Sequence, residues 1–124
     1  TGAYFKKRKT AFMKRDNNVY LQDIIEAISR IDDFIMGISI DEFRSDLKTQ
    51  HAVIRNIEIV GEAVKRLSDE FKKKYPDIPW QPAGDMRNFL IHDYPDVIPD
   101  VVWKTVTDDL PLLKKQIQKI LQGA

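Results

Sequence analysis

The sequence contains no cysteine and only two histidines among its 124 residues. The absence of thiols excludes disulfides and thiolate metal sites, and it favours a protein of the reducing cytoplasm. No apolar run approaches the ~18–20 residues that a membrane span needs. The opening stretch, TGAYFKKRKTAF, lacks the apolar core of a signal peptide. These absences predict a cytoplasmic protein that does not enter the membrane.

Charge is distributed unevenly along the chain, although the net charge is only +1. The first fifteen residues hold six basic side chains and no acid, which leaves fourteen basic and nineteen acidic groups, a net of −5, for the rest. A basic arm of this kind can bind nucleic-acid phosphates. The alternative is a leader at residues 1–12 that lies outside the domain, because MKRDNNVYLQDI, from Met13, is typical of a natural start. We expect the domain to span residues 13–124.

Apolar residues recur at helical spacing over most of the chain, and no segment alternates as a strand does. Three stripes stand out, and each predicts a long helix: Tyr20, Ile24, Ile28, Ile31 and Ile35; Val53, Ile57, Val60, Val64 and Leu67; Val102, Val106, Leu110, Leu113, Ile117 and Ile120. Gly37 is a plausible stop for the first helix. Pro111 lies inside the third stripe, so that helix should kink or restart there.

A proline-rich stretch separates the second and third stripes and leaves room for one short helix, at about residues 82–93. Trp80 should anchor the loop before it. A further short turn is expected around DEFRSDL, residues 41–47. The pattern therefore predicts an all-α, up-and-down bundle of four main helices with a short extra helix, in a single domain.

The segment MRNFLIHDYPDV, residues 86–97, places Arg87, His92 and Tyr94 close together. Histidine can act as the acid or the base that RNA cleavage by the 2′-hydroxyl requires. Arginine can hold phosphate oxygens, and a tyrosine can bind phosphate or stack on a base. Such a reaction needs no metal and no cofactor. A phosphate- or nucleotide-binding patch and an ordinary polar helix end are the alternatives.

Helix geometry constrains how these side chains can meet. Arg87 and Tyr94 fall almost on one line of a helix, whereas His92 points about 140° away from Arg87. One continuous helix therefore does not aim all three at one point. Pro95 should end the helix near Asp93 and redirect Tyr94. A symmetric dimer could also bring two copies of the segment together. Glu62, in the second stripe's helix, is a candidate to orient Arg87 or His92.

The stretch RNFLIHDY matches R-x-x-x-x-H-x-Y, the signature of HEPN-domain ribonucleases. Four more stretches, in the same order, resemble the HepT branch of that family: YLQDIIEAI, FRSDLKTQHAVIRNIEIVGEAVKRL, YPDIPW and VWKTVTDDLPLLKKQI. Together they cover about residues 13–121. The resemblance implies a HEPN-like helical bundle, a homodimer and a metal-independent endoribonuclease whose cleft is shared between subunits.

The resemblance also implies roles for particular residues. Arg87 and His92 would be catalytic, and Asn88 would be the polar neighbour of the arginine. Tyr94 would be both a site residue and the hydroxyl to which a partner attaches AMP. That partner would be a minimal nucleotidyltransferase antitoxin of the MntA type, in a type II-like toxin–antitoxin pair.

Two other hypotheses about the function remain. A non-catalytic HEPN module could present Arg87 and Tyr94 to a nucleotide or to a nucleotidyltransferase partner. A purely structural helical dimer would leave the cluster without a role. If the protein cuts RNA, both transfer RNA and messenger RNA are candidates, and single-stranded loops or ends are favoured because their bases can be splayed out.

Overall fold

The computed structural model of the protein describes residues 16–88 and 98–123, apart from the side chain of Arg87. All regular structure in these ranges is helical, which confirms the all-α prediction. The α-helices are α1 (Asn17–Ile35), α2 (Ile40–Arg44), α3 (Leu47–Arg66), α4 (Asp69–Lys74), α5 (Trp80–Asn88), α6 (Pro99–Lys104) and α7 (Leu110–Gly123), and a π-helical turn, Thr105–Asp109, joins the last two. The basic leader expected at residues 1–12 lies outside the described residues.

Helix α1 ends where the sequence predicts, and it begins at Asn17. The Val19 amide donates to the Asp16 carboxylate at 3.1 Å, which caps the N-terminus. Gly37, with φ of +76°, follows the last turn and supplies the left-handed residue that commonly ends a helix. Four members of the first stripe are buried and the last, Ile35, is partly buried against the same core.

Helix α3 is the central element and packs against α1 on one side and α5 on the other. Asp46 caps it by accepting from the Thr49 amide at 3.1 Å. All five members of the second stripe are buried, as predicted. The buried Asn56 of α3 accepts from Arg30 Nε of α1 at 2.8 Å and donates to the Ala52 carbonyl at 2.9 Å. Its amide is thereby satisfied within the α1–α3 interface.

Two short helices complete the connections. The turn expected around residues 41–47 is α2, which opens with a reciprocal capping box between Ser39 and Glu42. Phe43 fixes α2 in the core, where its ring lies 5.2 Å from that of Trp103. Helix α4, capped by Ser68, was not predicted from the apolar pattern because none of its residues is fully buried.

The C-terminal helix changes geometry just before Pro111, as the sequence predicts. Proline has no amide hydrogen, so it cannot continue the regular pattern of helix hydrogen bonds. The chain accommodates this with the π turn, in which the Leu110 amide donates to the Thr105 carbonyl five residues back. An α-helix then restarts at Leu110. All six members of the third stripe are buried.

Helix α5 starts at Trp80, two residues before the predicted start, and is described as far as Asn88. The predicted end near Asp93 lies outside the described residues. None of the helices in the described ranges is both long and apolar enough to cross a membrane.

Candidate functional site

Arg87 and Asn88 lie in the last described turn of α5, on the helix that the sequence predicts for them. Asn88 is half-buried. His92 and Tyr94 lie outside the described residues, so the structure does not test whether they meet Arg87. What the structure does describe is how the two elements on either side of residues 89–97 are held.

Trp80 fixes the start of α5. Its indole Nε1 donates to the Tyr75 carbonyl at 3.0 Å, and the side chain is buried. The Trp80 ring lies 6.1 Å from Phe71 of α4, and Phe71 lies 5.1 Å from Tyr75. These tilted aromatic contacts attach the loop and α4 to the first turn of α5. Trp80 is therefore the loop anchor that the sequence predicts.

Gly84 brings α5 close to α3. A Cβ atom at this position would lie 3.3 Å from Lys65 Cγ and 3.6 Å from Val64 Cγ1. Glycine is therefore the residue that lets the two helices approach this closely without displacing a side chain. Arg87 follows Gly84 within one turn. This contact therefore fixes where the backbone of Arg87 lies along the axis of α5 and how it is rotated about that axis.

Arg44 of α2 fixes the start of α6, the first described element after residues 89–97. Its guanidinium donates twice to Asp100, from Nε to Oδ1 at 2.8 Å and from Nη2 to Oδ2 at 3.0 Å. Nη1 donates to Asp41 at 2.6 Å. The hydrogen bonds and charge of Arg44 lower the pKa of Asp100, and the two carboxylates raise the pKa of Arg44. Ile98, the N-cap of α6, makes no side-chain hydrogen bond to the helix. The Arg44–Asp100 ion pair therefore provides a polar contact that holds the start of α6.

Glu62 lies in a groove of about 310 Å3 between α1 and α3. Its carboxylate accepts from Arg66 Nη2 at 3.3 Å, one turn further along α3. A second pair, Arg55 and Glu58 at 3.5 Å, lines the same groove together with Tyr20. This placement leaves the predicted role of Glu62 untested, because the Arg87 side chain lies outside the described part of the chain.

No group of three or more histidine, aspartate or glutamate side chains is placed to hold a metal ion within residues 16–88 and 98–123.

Two features of the described structure were not predicted from the sequence. The Arg44–Asp100 pair joins residues 56 positions apart, and no local pattern signals it. Gln116, on α7, lines two surface hollows and has a buried side-chain oxygen that accepts no hydrogen bond from the described residues. A lone glutamine in a helix carries no sequence signal.

An all-helical bundle with an R-x-x-x-x-H-x-Y stretch beginning on a short, firmly docked helix defines a candidate RNA-cleaving protein of the HEPN class. Comparison with known families supports this class: the model of the family described as "Ribonuclease HepT-like" matches residues 24–120. No solved structure matches the chain.

Curated relatives agree with the family match. The chain is 47% identical over 108 residues to "Probable ribonuclease HepT" of Thermococcus cleftensis, covering 87% of this chain and 98% of the relative. It is 40% identical over 109 residues to a "Putative RNase" of Methanocaldococcus jannaschii, covering 88% and 90% of the two chains. A "Putative RNase" of Caldanaerobacter subterraneus is 38% identical over 103 residues, covering 83% and 92%. The chain therefore belongs to the HepT-like ribonuclease family.

Proposed function

We propose that this protein is an endoribonuclease, and that it is the toxin of a toxin–antitoxin pair. The observation that carries the proposal is the family match, because residues 24–120 enclose both Arg87 and His92. The three relatives carry the names "Probable ribonuclease HepT" and "Putative RNase", and these names support RNA as the substrate. Transfer RNA and messenger RNA are the candidate substrates, and both would be met in the cytoplasm.

The cleavage chemistry is proposed for Arg87 and His92. His92 exchanges a proton with the 2′-hydroxyl or with the leaving oxygen, since an imidazole titrates near neutral pH. Arg87 binds the scissile phosphate through its planar fork and stabilises the charge that develops on it. Asn88, the next residue of α5, supports Arg87 as its polar neighbour. No step in this scheme uses a metal ion, because the attacking group belongs to the RNA itself.

The cleft is proposed to lie between two copies of the chain. On a regular helix Arg87 and His92 diverge by about 140°, so the partner's copy of the segment is the simplest source of the missing group. The docking of α5 by Trp80 and Gly84, and of α6 by Arg44, would present this segment in a defined position in each protomer.

The proposed control acts on Tyr94. A minimal nucleotidyltransferase antitoxin of the MntA type would transfer AMP to the phenol hydroxyl. The attached phosphate would place a negative charge beside Arg87 and His92, where it competes with the RNA phosphate. The alternative is a non-catalytic module that binds a nucleotide or this nucleotidyltransferase and does not cut RNA.

The deciding experiment is RNA cleavage in EDTA by purified protein freed of any partner, with His92→Ala as the matched variant. Cleavage by the wild type and not by His92→Ala is expected. Cleavage that stops in EDTA would contradict metal independence, and equal cleavage by both proteins would remove His92 from the mechanism. If neither protein cuts RNA, the alternative holds, and the protein is a non-catalytic module that binds a nucleotide or a partner.

A further inference from the structure

The side chain of Lys65, on α3, lies against α5 at Gly84. A Cβ atom at Gly84 would lie 3.3 Å from Lys65 Cγ and 3.8 Å from Lys65 Cε, so most of the stem passes the same point of α5. The ammonium nitrogen is one bond beyond Cε, which keeps it within about 5 Å of that point. Because glycine has no side chain, it leaves the room that the stem occupies. Lys65 therefore brings a positive charge to the helix that carries Arg87.

Lys65 also lines a surface hollow of about 290 Å3 between α3, α4 and α5. We call it the Lys65 hollow, and its polar wall includes Lys65 of α3, Asp69 and Lys72 of α4, and Gln81, Gly84 and Asp85 of α5. The three α5 residues are spaced by three and four positions, so they share one face of the helix, and Asn88 continues that face one turn later. The hollow therefore lies on the face of α5 that leads to Asn88.

The two cations of the Lys65 hollow have no ion partner among the described residues, because none of the ion pairs formed there involves Lys65 or Lys72. Each ammonium group can donate three hydrogen bonds to an anion. Asp69 and Asp85 line the same hollow, so the hollow carries no net charge. This balance disfavours tight binding of a small free anion. It suits a phosphate that the rest of a polymer holds in place.

We propose that Lys65, together with Lys72, binds a backbone phosphate of an RNA strand beside the phosphate that is cut. Gly84 and Arg87 are separated by about 4.5 Å along the axis of α5. The charges of a regular helical strand are ~3.4 Å apart along its axis, so a strand that follows α5 reaches Lys65 about one nucleotide from Arg87. The inference rests on the proposed function, which supplies the RNA substrate. It adds binding residues outside the R-x-x-x-x-H-x-Y stretch.

A contact of this kind positions the strand and does not select its sequence. Phosphates are the same at every nucleotide, so hydrogen bonds to them fix register and orientation without distinguishing the bases. The bound phosphate is not the reacting one, and its interaction with Lys65 is therefore equal before and during the cleavage step. Loss of such an interaction raises KM and leaves kcat unchanged.

The substitution Lys65→Met separates the charge of Lys65 from the packing of its stem. Methionine keeps an unbranched apolar chain over Gly84 and removes the ammonium group. Lys65→Arg, in contrast, keeps the positive charge. The matched control is Lys48→Met, because Lys48 is an exposed lysine of the same helix, about 26 Å away along the axis. Urea denaturation should show that Lys65→Met is as stable as the wild type.

The deciding measurement is binding of a fluorescent single-stranded RNA over a range of salt concentrations, in the His92→Ala background to prevent cleavage. Each neutralised phosphate of a single strand contributes ~0.7 to the slope of log K against log salt concentration. We expect Lys65→Met to reduce the steepness of the slope by roughly 0.7, which corresponds to a roughly fivefold loss of affinity at about 0.1 M salt. Lys72→Met should also make the slope shallower. Lys65→Arg and Lys48→Met should bind as the parent protein does.

An unchanged slope in Lys65→Met would overturn the proposal, and so would an equal change in Lys48→Met. A larger loss with oligoadenylate than with oligouridylate would also overturn it, because it would indicate a contact with a base. The source of the phosphate is tested by replacing chloride with inorganic phosphate at the same ionic strength. RNA binding should be unchanged. Competition by inorganic phosphate that Lys65→Met removes would assign the hollow to a free phosphate.

These outcomes are separable from those of the cleavage proposal because binding is measured without cleavage. A protein that binds RNA through Lys65 but cuts none retains the phosphate site and loses the proposed activity. A protein that cuts RNA, and in which Lys65→Met changes neither KM nor the salt slope, retains the activity and loses the site.

Discussion

Arg44 and Asp100 face each other as a two-point ion pair, with hydrogen bonds of 2.8 and 3.0 Å, across the junction of α2 and α6. Asp100 lies in the first turn of α6, where a carboxylate also interacts favourably with the helix dipole. The pair joins the element that precedes α3 to the element that follows residues 89–97. It therefore links the central helix to the first described element after the proposed catalytic segment.

The first prediction follows from the lowered pKa of Asp100, whose ordinary value is 3.8. A carboxylate with a depressed pKa in the folded state adds stability above its unfolded pKa and loses that contribution as the pH falls through the folded value. Asp100→Asn should therefore lower the free energy of unfolding at pH 7, and its difference from the wild type should vanish in strong acid. Urea denaturation from pH 7 to pH 2 measures both. Asp33→Asn, an exposed aspartate on α1, is the control.

The same pair allows a test by exchange of charges. Arg44→Asp and Asp100→Arg should each reduce stability and RNA cleavage, because each places two like charges side by side. The double variant should recover part of both losses, since the opposite charges are restored. Recovery of stability without recovery of cleavage would show that the pair does not position the segment that carries His92.

Gly84 gives a prediction about stability. In Gly84→Ala, the new methyl group lies 3.3 Å from the stem of Lys65, an exposed side chain that can shift, and makes an ordinary van der Waals contact of 3.6 Å with Val64. Alanine also favours the helix by ~1 kcal/mol. We expect stabilisation by up to about 1 kcal/mol. Gly84→Val adds branches toward the buried Val64 and should instead cost about 1–3 kcal/mol. Denaturation midpoints in urea distinguish the two, and equal effects of both substitutions would contradict the close α3–α5 approach.

The fold was largely predictable because its core obeys helical periodicity. Every member of the second and third stripes is buried, Gly37 ends α1, and Pro111 changes the geometry of the last helix. Helix α4 escaped prediction because it buries no side chain fully and forms through its Ser68 cap and its contacts with Trp80. Apolar spacing cannot reveal an element of that kind.

The candidate site was predictable only as far as its local spacing. The sequence places Arg87 and Asn88 on a short helix, and the structure agrees. Spacing could not identify the Arg44–Asp100 pair or the Gln116 oxygen, because each depends on packing between residues far apart in the chain. Whether Arg87, His92 and Tyr94 converge stays a prediction.

Arg87→Lys should keep the fold but lose most RNA cleavage, by tenfold or more. Lysine retains the charge, but it lacks the planar fork that can bind two phosphate oxygens at once. Initial rates on a labelled RNA measure the effect, with Arg55→Lys in the α1–α3 groove as the matched control. Full activity in Arg87→Lys would reduce Arg87 to a general electrostatic role.

A shared cleft predicts complementation between inactive subunits. Arg87→Ala and His92→Ala homodimers should both be inactive, because every cleft lacks one group. In a symmetric mixed dimer, one cleft would receive both intact groups and the other neither, so a mixed preparation should regain roughly a quarter of wild-type activity. Solution mass measurements establish the dimer. A strictly monomeric form that cuts RNA at the full rate would contradict the shared cleft.

The last prediction concerns control through Tyr94. Residues 89–97 lie in the chain between the described parts of α5 and α6, and Pro95 should place the phenol on a turn that another enzyme can reach. A linked AMP would bring an anion beside Arg87 and His92, so the modified protein should be folded, dimeric and unable to cut RNA. Tyr94→Phe should lose the modification and escape the antitoxin, and it should retain at least part of its cleavage activity if the hydroxyl is not itself catalytic. Intact-mass measurement after co-expression with a minimal nucleotidyltransferase of the MntA type tests this, with Tyr75→Phe as the matched control. An adduct that persists in Tyr94→Phe, or a modified wild-type protein that still cuts RNA, would show that control does not act through this tyrosine.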